Sequence, residues 1–372
     1  AGMVVLWPAG ERRAAPAGVE TTALVDATLT AVTEVAGGDP AGLVPGATAV
    51  DVTARIDATG EVVRFETTDD TGATYRAGHR VRLSRIEQPG LPPTYFISDF
   101  RRGGPLAVLV ALFVAAVLAL GRWQGIRALL GLALTFAVIV TFMVPALLGG
   151  EEPLAVAIVG SLAIMIVTLY LAHGFAPKTT AAVVGTTLAL VITGLLAVAF
   201  VGAANLTGFT SEEARLANLQ VGGLSLRGLL LAGIVIGGLG VLDDVTTSQA
   251  STVFALHRAN PTARAGDLTR QALVVGRDHI AATVNTLFLA YAGASLPLLI
   301  LFATGVDPFG TVVTSEVVAV EVVRTLVGSV GLIAAVPLTT AMAAALAVTA
   351  RRSGPAVAHD ARAPLPRHNP VQ

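Results

Sequence analysis

The chain has 372 residues, of which 54% are hydrophobic and 13% are charged, whereas soluble proteins average about 25% charged residues. Its formal net charge is −1, and it contains no cysteine. This composition excludes an ordinary soluble enzyme, a strongly basic nucleic-acid-binding surface, and any site built on disulfides or thiolates.

The charged residues are concentrated near the start of the chain. Residues 8–103 carry 23 of the 49 Asp, Glu, Lys and Arg side chains. We therefore expect two regions that are surrounded by different solvents. The apolar residues 1–7 end at Trp7 and are too few to cross a bilayer, so they predict the remnant of a preceding membrane helix.

Residues 8–103 are predicted to form a small extracytoplasmic β-domain. Five stretches in this region are rich in Val, Thr, Ile and aromatic residues, and Gly, Asp and Pro occur between them. The predicted strands cover residues 21–30, 48–55, 61–67, 80–87 and 94–98. Five short strands in so few residues are typical of a β-barrel, and we expect an OB-like one.

Residues 104–352 are predicted to form an all-α membrane bundle. Apolar runs here are long enough to cross a hydrocarbon core about 30 Å thick. Seven spans are expected, at residues 105–120, 126–148, 154–172, 179–201, 226–242 or further, 280–302 and 322–349, and the preceding helix would make eight. The proline-rich residues 353–372 predict a disordered cytoplasmic tail.

Basic residues indicate the orientation of these spans. One set of connecting segments holds most of the Lys and Arg, and such loops face the cytoplasm. The basic residues on this side are Arg122, Arg127, Lys178, Arg258, Arg264, Arg270, Arg277, Arg351 and Arg352. The sequence therefore predicts a protein of the bacterial plasma membrane with the β-domain outside and the C-terminus in the cytoplasm.

Polar residues cluster in two segments of the membrane region, 237–252 and 276–286. A charged residue at the centre of a membrane helix costs about 2.5 to 3.5 kcal/mol, so such a cluster indicates a function. Helical spacing puts Asp244 on one face with Ser248 and Ser251, and Asp243 on another with Thr247. The candidate binding residues are Asp243, Asp244, Thr247, Ser248, Ser251, Arg277, Asp278, His279, Asn285 and Tyr291.

Two further expectations concern the geometry of this cluster. The polar stripes of the two segments are predicted to face each other, with Asp278 and Asn285 stacked two turns apart. Gly237, Gly238 and Gly240 permit a kink or an unwound turn, whose free carbonyl groups would coordinate a cation.

Two hypotheses explain the cluster. In the first, it binds a monovalent cation or a proton and couples it to movement of a small solute, with no metal or other cofactor. In the second it is structural, and Asp243 or Asp244 pairs with Arg277, Arg270 or His279 to fix helix packing.

An intramembrane enzyme is the weakest interpretation. Membrane aspartyl proteases use Gly-x-Gly-Asp, whereas Val241 follows Gly238-Leu239-Gly240 here. The chain has no His-Glu-x-x-His sequence, and its single lysine, Lys178, is not part of a phosphate-binding loop. We therefore expect that the protein is not an enzyme.

These polar segments resemble a known family. The residues that carry the resemblance are GVLDDVTTSQA at 240–250, GRDHIAATVNTL at 276–287 and AYAGA at 290–294. Together they closely resemble the YibE/F family of bacterial multi-pass membrane proteins, over about residues 100–352. The resemblance implies the membrane topology and an association with permeases, but it does not imply a substrate.

Two functions are therefore expected from the sequence. The first is a secondary transporter or permease that moves a small solute or ion through an acidic intramembrane site. The alternative is a membrane-anchored interaction protein whose outer β-domain binds an envelope partner. In both cases the helices contact the lipid bilayer and no nucleic acid is bound, while the oligomeric state is left open.

Overall fold

A computed structural model of the chain describes residues 2–7, 23–35, 48–69, 75–87, 92–210, 212–304 and 308–353. The predicted tail lies outside the described residues from residue 354 onward. The chain divides into two compact units, one formed by Pro16–Arg122 and the other by Ala1–Ala15 together with Trp123–Gln372.

The first unit contains a five-stranded antiparallel sheet. Its strands are β1 (Ala23–Glu34), β2 (Thr48–Ile56), β3 (Val62–Asp69), β4 (Arg80–Ile86) and β5 (Thr94–Phe100). Their order across the sheet is β3-β2-β1-β4-β5. Irregularities in the pairing lie at Leu29 to Ala31 of β1 and at Arg82 to Leu83 of β4, where bulges add curvature.

One face of this sheet forms an apolar core. Alternate residues of the strands point into it, including Leu29, Val52, Val81 and Leu83, which are almost completely buried. Strands β3 and β5 approach each other, but the described strands do not pair there. The sheet is therefore a half-barrel, and the predicted closed OB-like barrel is not confirmed.

The remaining elements are helical. They are α1 (Gly2–Val5), α2 (Gly103–Val138), a π-helix (Ile139–Met143), α3 (Val144–Leu148), α4 (Pro153–His173), α5 (Pro177–Ala203), α6 (Glu212–Val221), α7 (Leu226–Ala259), α8 (Ala265–Ala294), α9 (Leu296–Ala303), α10 (Phe309–Val313) and α11 (Glu316–Ser353). The protein is thus mostly helical, as its composition predicts.

Five helical stretches among the described residues are long and apolar enough to cross a membrane: Gly103–Leu148, Pro153–His173, Pro177–Ala203, Leu226–Ala259 and Glu316–Thr349. The predicted count of seven is not confirmed. The expected spans at 105–120 and 126–148 fall in one helical stretch with a break at Arg122, where φ is 48° and ψ is −126°.

The expected span at 280–302 is absent from these five stretches. It falls partly on α8 and partly on the short α9, which begins at Leu296. Pro297 lies at the start of α9, and a proline there cannot continue the hydrogen bonding of the preceding helix. The apolar run is therefore divided between two helices.

Helices α5, α7 and α11 form the centre of the helical unit, and α4 and α8 pack against them. Small residues allow their backbones to approach closely. Gly185 of α5 lies directly against Thr339 of α11, and Gly331 of α11 lies directly against Thr193 of α5. A side chain at either glycine would overlap the facing threonine.

A carboxylate ties the start of α11 to the loop that follows α5. Glu316 accepts hydrogen bonds from the backbone N–H and hydroxyl group of Thr207 and from the N–H of Gly208. Gly208 has a φ of +85°, and a Cβ atom there would collide with the carbonyl of Leu226 at the start of α7. The loop conformation therefore requires glycine at this position.

Candidate functional site

Helix α7 passes through the region of the predicted site without a break. It has 34 residues, and Asp243 and Asp244 lie near its middle. The expected kink or unwound turn at Gly237, Gly238 and Gly240 is therefore wrong. Two of these glycines instead permit close packing, because Gly237 lies against the hydroxyl group of Tyr291 and Gly238 against the methyl group of Thr193.

Two contacts fix how α7 runs against α8. Near one end, the side-chain amide of Gln249 donates to the carbonyl oxygen of Ala272 at 2.9 Å. Towards the other, Gly237 lies against Tyr291. The acidic pair of α7 and the 278–285 segment of α8 both lie between these contacts. The structure therefore brings the two predicted polar segments to the same stretch of the bundle.

Asp243 and Thr247 face the interior from successive turns of α7. The Oδ1 atom of Asp243 and the Oγ1 atom of Thr247 are both buried, and neither has a hydrogen-bond partner among the described residues. Burying a carboxylate or hydroxyl group without a partner is costly. The two atoms are thus free to bind a proton, a water molecule or a cation.

Other predicted site residues lie on the outer side of these helices. Asp244 and Ser248 of α7 are exposed, as are Arg277, Asp278 and Asn285 of α8, while His279 is half-buried. The described parts of the two helices show no hydrogen bond between the two stripes, so the expected direct facing of the stripes is not seen.

The structural hypothesis of aspartate pairing is not supported within the described residues. Arg270 pairs with Asp267 of its own helix at 3.1 Å, and not with Asp243 or Asp244. Over the same described ranges, neither Arg277 nor His279 forms an ion pair with the acidic pair of α7. Within the described residues, no such ion pair therefore fixes α7 against α8.

A small cavity lies beside the interior face of α7. Thr247 and Ser251 line it together with Thr179 and Lys178 of α5 and His173 of α4. Its volume is about 10 Å³, which is close to the space that one water molecule occupies. The buried hydroxyl of Thr179 has no partner in the described structure either.

Two polar contacts nearby link neighbouring helices, and both involve residues that were not predicted as site residues. Gln249 donates to the hydroxyl group of Thr340 on α11 at 2.7 Å as well as to Ala272. Thr246 and Thr186 of α5 share a hydrogen bond of 2.6 Å. Threonines at positions 179, 186 and 193 recur every seventh residue along α5, and this spacing was the available sequence signal.

Tyr291 lies apart from the acidic pair of α7. The guanidinium group of Arg324 on α11 is 5.9 Å from the centre of the Tyr291 ring, and Arg324 also pairs with Glu321 at 2.9 Å. An adjoining cavity of about 220 Å³ is lined mostly by apolar side chains of α8, α9 and α11. Tyr291 therefore belongs to a different pocket from Asp243 and Thr247.

The donor set does not resemble that of a divalent-metal site. Across the described ranges, no group of three or more His, Cys, Asp or Glu side chains is close enough to hold a metal ion. What the arrangement offers is one buried carboxylate with neighbouring hydroxyl groups. Such a set can exchange a proton or hold a small monovalent cation.

Comparison with known proteins gives one match. The family model described as YibE/F-like protein matches residues 109–349, which include both polar segments. No curated protein and no solved structure matches the chain.

Proposed function

The chain belongs to the YibE/F-like family, and on that premise we propose that it is a secondary transporter or permease of the bacterial plasma membrane. In this proposal a small solute or ion crosses the helical unit, and a proton or monovalent cation binds at Asp243. Asp244 and Asp278 contribute further negative charge at the same stretch of the bundle. The bound species acts as the coupling ion, so no other cofactor is required.

The supporting observation is the unpartnered Oδ1 atom of Asp243. It is buried near the middle of a helix long enough to cross a membrane. An ionisable group retained at such a place indicates a transport or relay role, because a purely structural residue would be paired or apolar. Thr247 and Ser251 would supply neutral oxygen ligands, while Arg277 and His279 would set the local charge balance.

The distribution of basic residues supports an orientation for this transporter. With Lys178, Arg264 and Arg270 on the cytoplasmic side, the cavity at Thr179 and Thr247 opens towards the cytoplasm and the β-unit faces outward. We propose this orientation together with the transport function.

A liposome assay tests the proposal. The purified protein is reconstituted in vesicles that contain a pH-sensitive dye, and imposed gradients of H⁺, Na⁺ and K⁺ are followed over time. We expect proton or cation flux in the native protein and a loss of about tenfold or more in Asp243→Asn. Asp267→Asn is the matched control, because Asp267 is paired with Arg270 outside the candidate site.

Two results would contradict the transport proposal. One is the absence of flux above that of protein-free vesicles under every gradient. The other is flux that persists unchanged in Asp243→Asn, Asp244→Asn and Asp278→Asn.

A second candidate function rests on the β-unit. A cavity of about 530 Å³ lies between β3 and β5, and its lining includes Phe96, Asp99 and Arg102. The side chain of Phe96 is 46% exposed. An open, partly aromatic groove between the two edge strands of the sheet suits an envelope protein that contributes an extended segment.

Site-specific photo-crosslinking in intact cells tests this second function. A crosslinker at Phe96 should capture a discrete envelope protein. The control is a crosslinker at Val62 of β3. This side chain is exposed, like that of Phe96, but it does not line the cavity. Equal labelling from both positions would count against a specific partner.

A further inference from the structure

The outer face of α8 has the pattern of a helix–helix interface. Gln271, Asp278 and Asn285 recur every seventh residue and are exposed. Val274 and Phe288, with Ala281 between them, form a second exposed row with the same spacing, and the two large side chains are 60% and 59% exposed. Apolar residues repeated every seven positions, beside isolated polar residues with the same repeat, are typical of two helices that pack in a fixed register.

The charged residues of this face lie near the middle of the membrane, where their exposure to lipid is costly. Gly276 lies against Val336 of α11, and Leu287 lies against Gly328. Asp278 is between these two contacts, alongside the middle of the membrane-length stretch Glu316–Thr349. A charged side chain facing lipid at that depth is strongly unfavourable, so we expect this face to be covered by a polar surface.

This face carries one positive and one negative charge, so it is complementary to an identical face on a second copy. Arg277 and Asp278 are adjacent, and adjacent residues of a helix point in different directions, so they do not pair with each other. Within the described structure neither of them takes part in an ion pair. In a dimer whose twofold axis runs along the membrane normal, a residue of one copy meets the partner at the same depth. The two charges can then pair reciprocally.

We infer that the outer face of α8 packs against the same face of a second copy of this chain. Asn285 meets the partner's Asn285, and in the same register Asp278 lies opposite the partner's Asp278. Arg277 of each copy flanks the partner's Asp278, so the two arginines neutralise the two aspartates. Ala281 and Ala282 at the centre allow the two backbones to approach closely. This inference concerns assembly and does not depend on ion binding at Asp243. It shares Arg277 and Asp278 with the proposed function, in which these two side chains contribute charge only.

Cysteine cross-linking in native membranes tests the interface directly, because the chain has no cysteine of its own. Under mild oxidation, Ala282→Cys should give a disulfide-linked dimer. The matched control is Leu195→Cys on the membrane-length helix α5, where the side chain is 67% exposed. We expect about tenfold more dimer from Ala282→Cys, since two copies meet there in a fixed register. Equal yields from the two variants would overturn the inference.

Charge reversal tests the pairing itself. The dimer fraction in nanodiscs should fall about tenfold in Arg277→Asp and in Asp278→Arg, because each change places like charges opposite one another. The double variant Arg277→Asp/Asp278→Arg should recover to within about threefold of the native dimer fraction. A double variant as impaired as the single ones would overturn the reciprocal pair. A monomeric native protein that also shows no excess cross-linking at position 282 would overturn the interface.

Discussion

Two neighbouring polar stretches of α7 differ in how their buried groups are satisfied. Gln249 and Thr246 make hydrogen bonds to α5, α8 and α11. Asp243 and Thr247, within two turns of them, bury side-chain oxygen atoms that have no partner among the described residues. The first pair therefore holds helices together, whereas the second costs stability and is better explained by binding.

The largest effect is expected from Gln249, because its amide bridges two helices at once. Gln249→Ala removes both hydrogen bonds and leaves a cavity, so the free energy of unfolding should fall by about 3 kcal/mol. Denaturant unfolding of the purified protein in detergent measures this change. Leu195→Ala, at a position of α5 that is 67% exposed, is the control and should change it by less than about 0.5 kcal/mol. A similar loss in both variants would contradict the bridging role.

An intermediate effect is expected from the threonine pair. Thr246→Val should lower the free energy of unfolding by about 1 kcal/mol, because Thr186 then loses its hydrogen bond to α7 and keeps only the one to the carbonyl of Ala182. Replacing both threonines by valine removes donor and acceptor together and should cost less than the sum of the single changes. A double-mutant cycle with the same unfolding assay gives the coupling. Strict additivity would show that the 2.6 Å contact contributes nothing.

Loss of the Thr247 hydroxyl group should affect transport and leave stability unchanged, in contrast to the changes at Gln249 and Thr246. Its hydroxyl has no partner in the described structure, so Thr247→Val should leave the free energy of unfolding within about 0.5 kcal/mol of the native value or raise it. Flux in the liposome assay should nevertheless fall. A variant that is destabilised and still transports normally would assign Thr247 to the structural group with Gln249.

The smallest effect is expected from a surface ion pair of the β-unit, between Arg64 and Asp51. The hydrogen bond from Arg64 lowers the pKa of Asp51 below its ordinary value of 3.8. A depressed carboxyl pKa stabilises the folded sheet above the ordinary value, and that contribution is lost as the pH falls through the folded pKa.

Hydrogen exchange measures this effect. On going from about pH 6 to about pH 3, the protection of the β2–β3 amides should decrease slightly more in the native protein than in Asp51→Asn. An identical response of the two proteins would show that the ion pair adds nothing.

Much of the fold was predictable from local patterns. The strand predicted at 48–55 is observed at Thr48–Ile56, and the one predicted at 80–87 is observed at Arg80–Ile86. Alternation of polar and apolar residues fixes these strands. Whether the sheet closes depends instead on pairing between β3 and β5, which lie far apart in sequence and carry no local signal of pairing.

The helical unit shows the same division between local and tertiary information. Hydropathy located α4, α5, α7 and α11, because their apolar stretches are long. It missed the first half of α8, where Asp267, Arg270 and Arg277 interrupt the apolar run. The polar character of 243–247 could be read from the sequence, whereas the division into satisfied and unsatisfied groups depends on Thr186 and Thr340, which other helices supply.

The link between Glu316 and the loop at Thr207 has a consequence for motion in the helical unit. Helices α5 and α11 are joined there at one end, and they interlock again where Gly185 meets Thr339 and where Gly331 meets Thr193. Two helices fastened at three heights cannot slide past one another. Any rocking movement of the bundle must therefore carry α5 and α11 as one body, together with α7, which Thr246 and Gln249 tie to them.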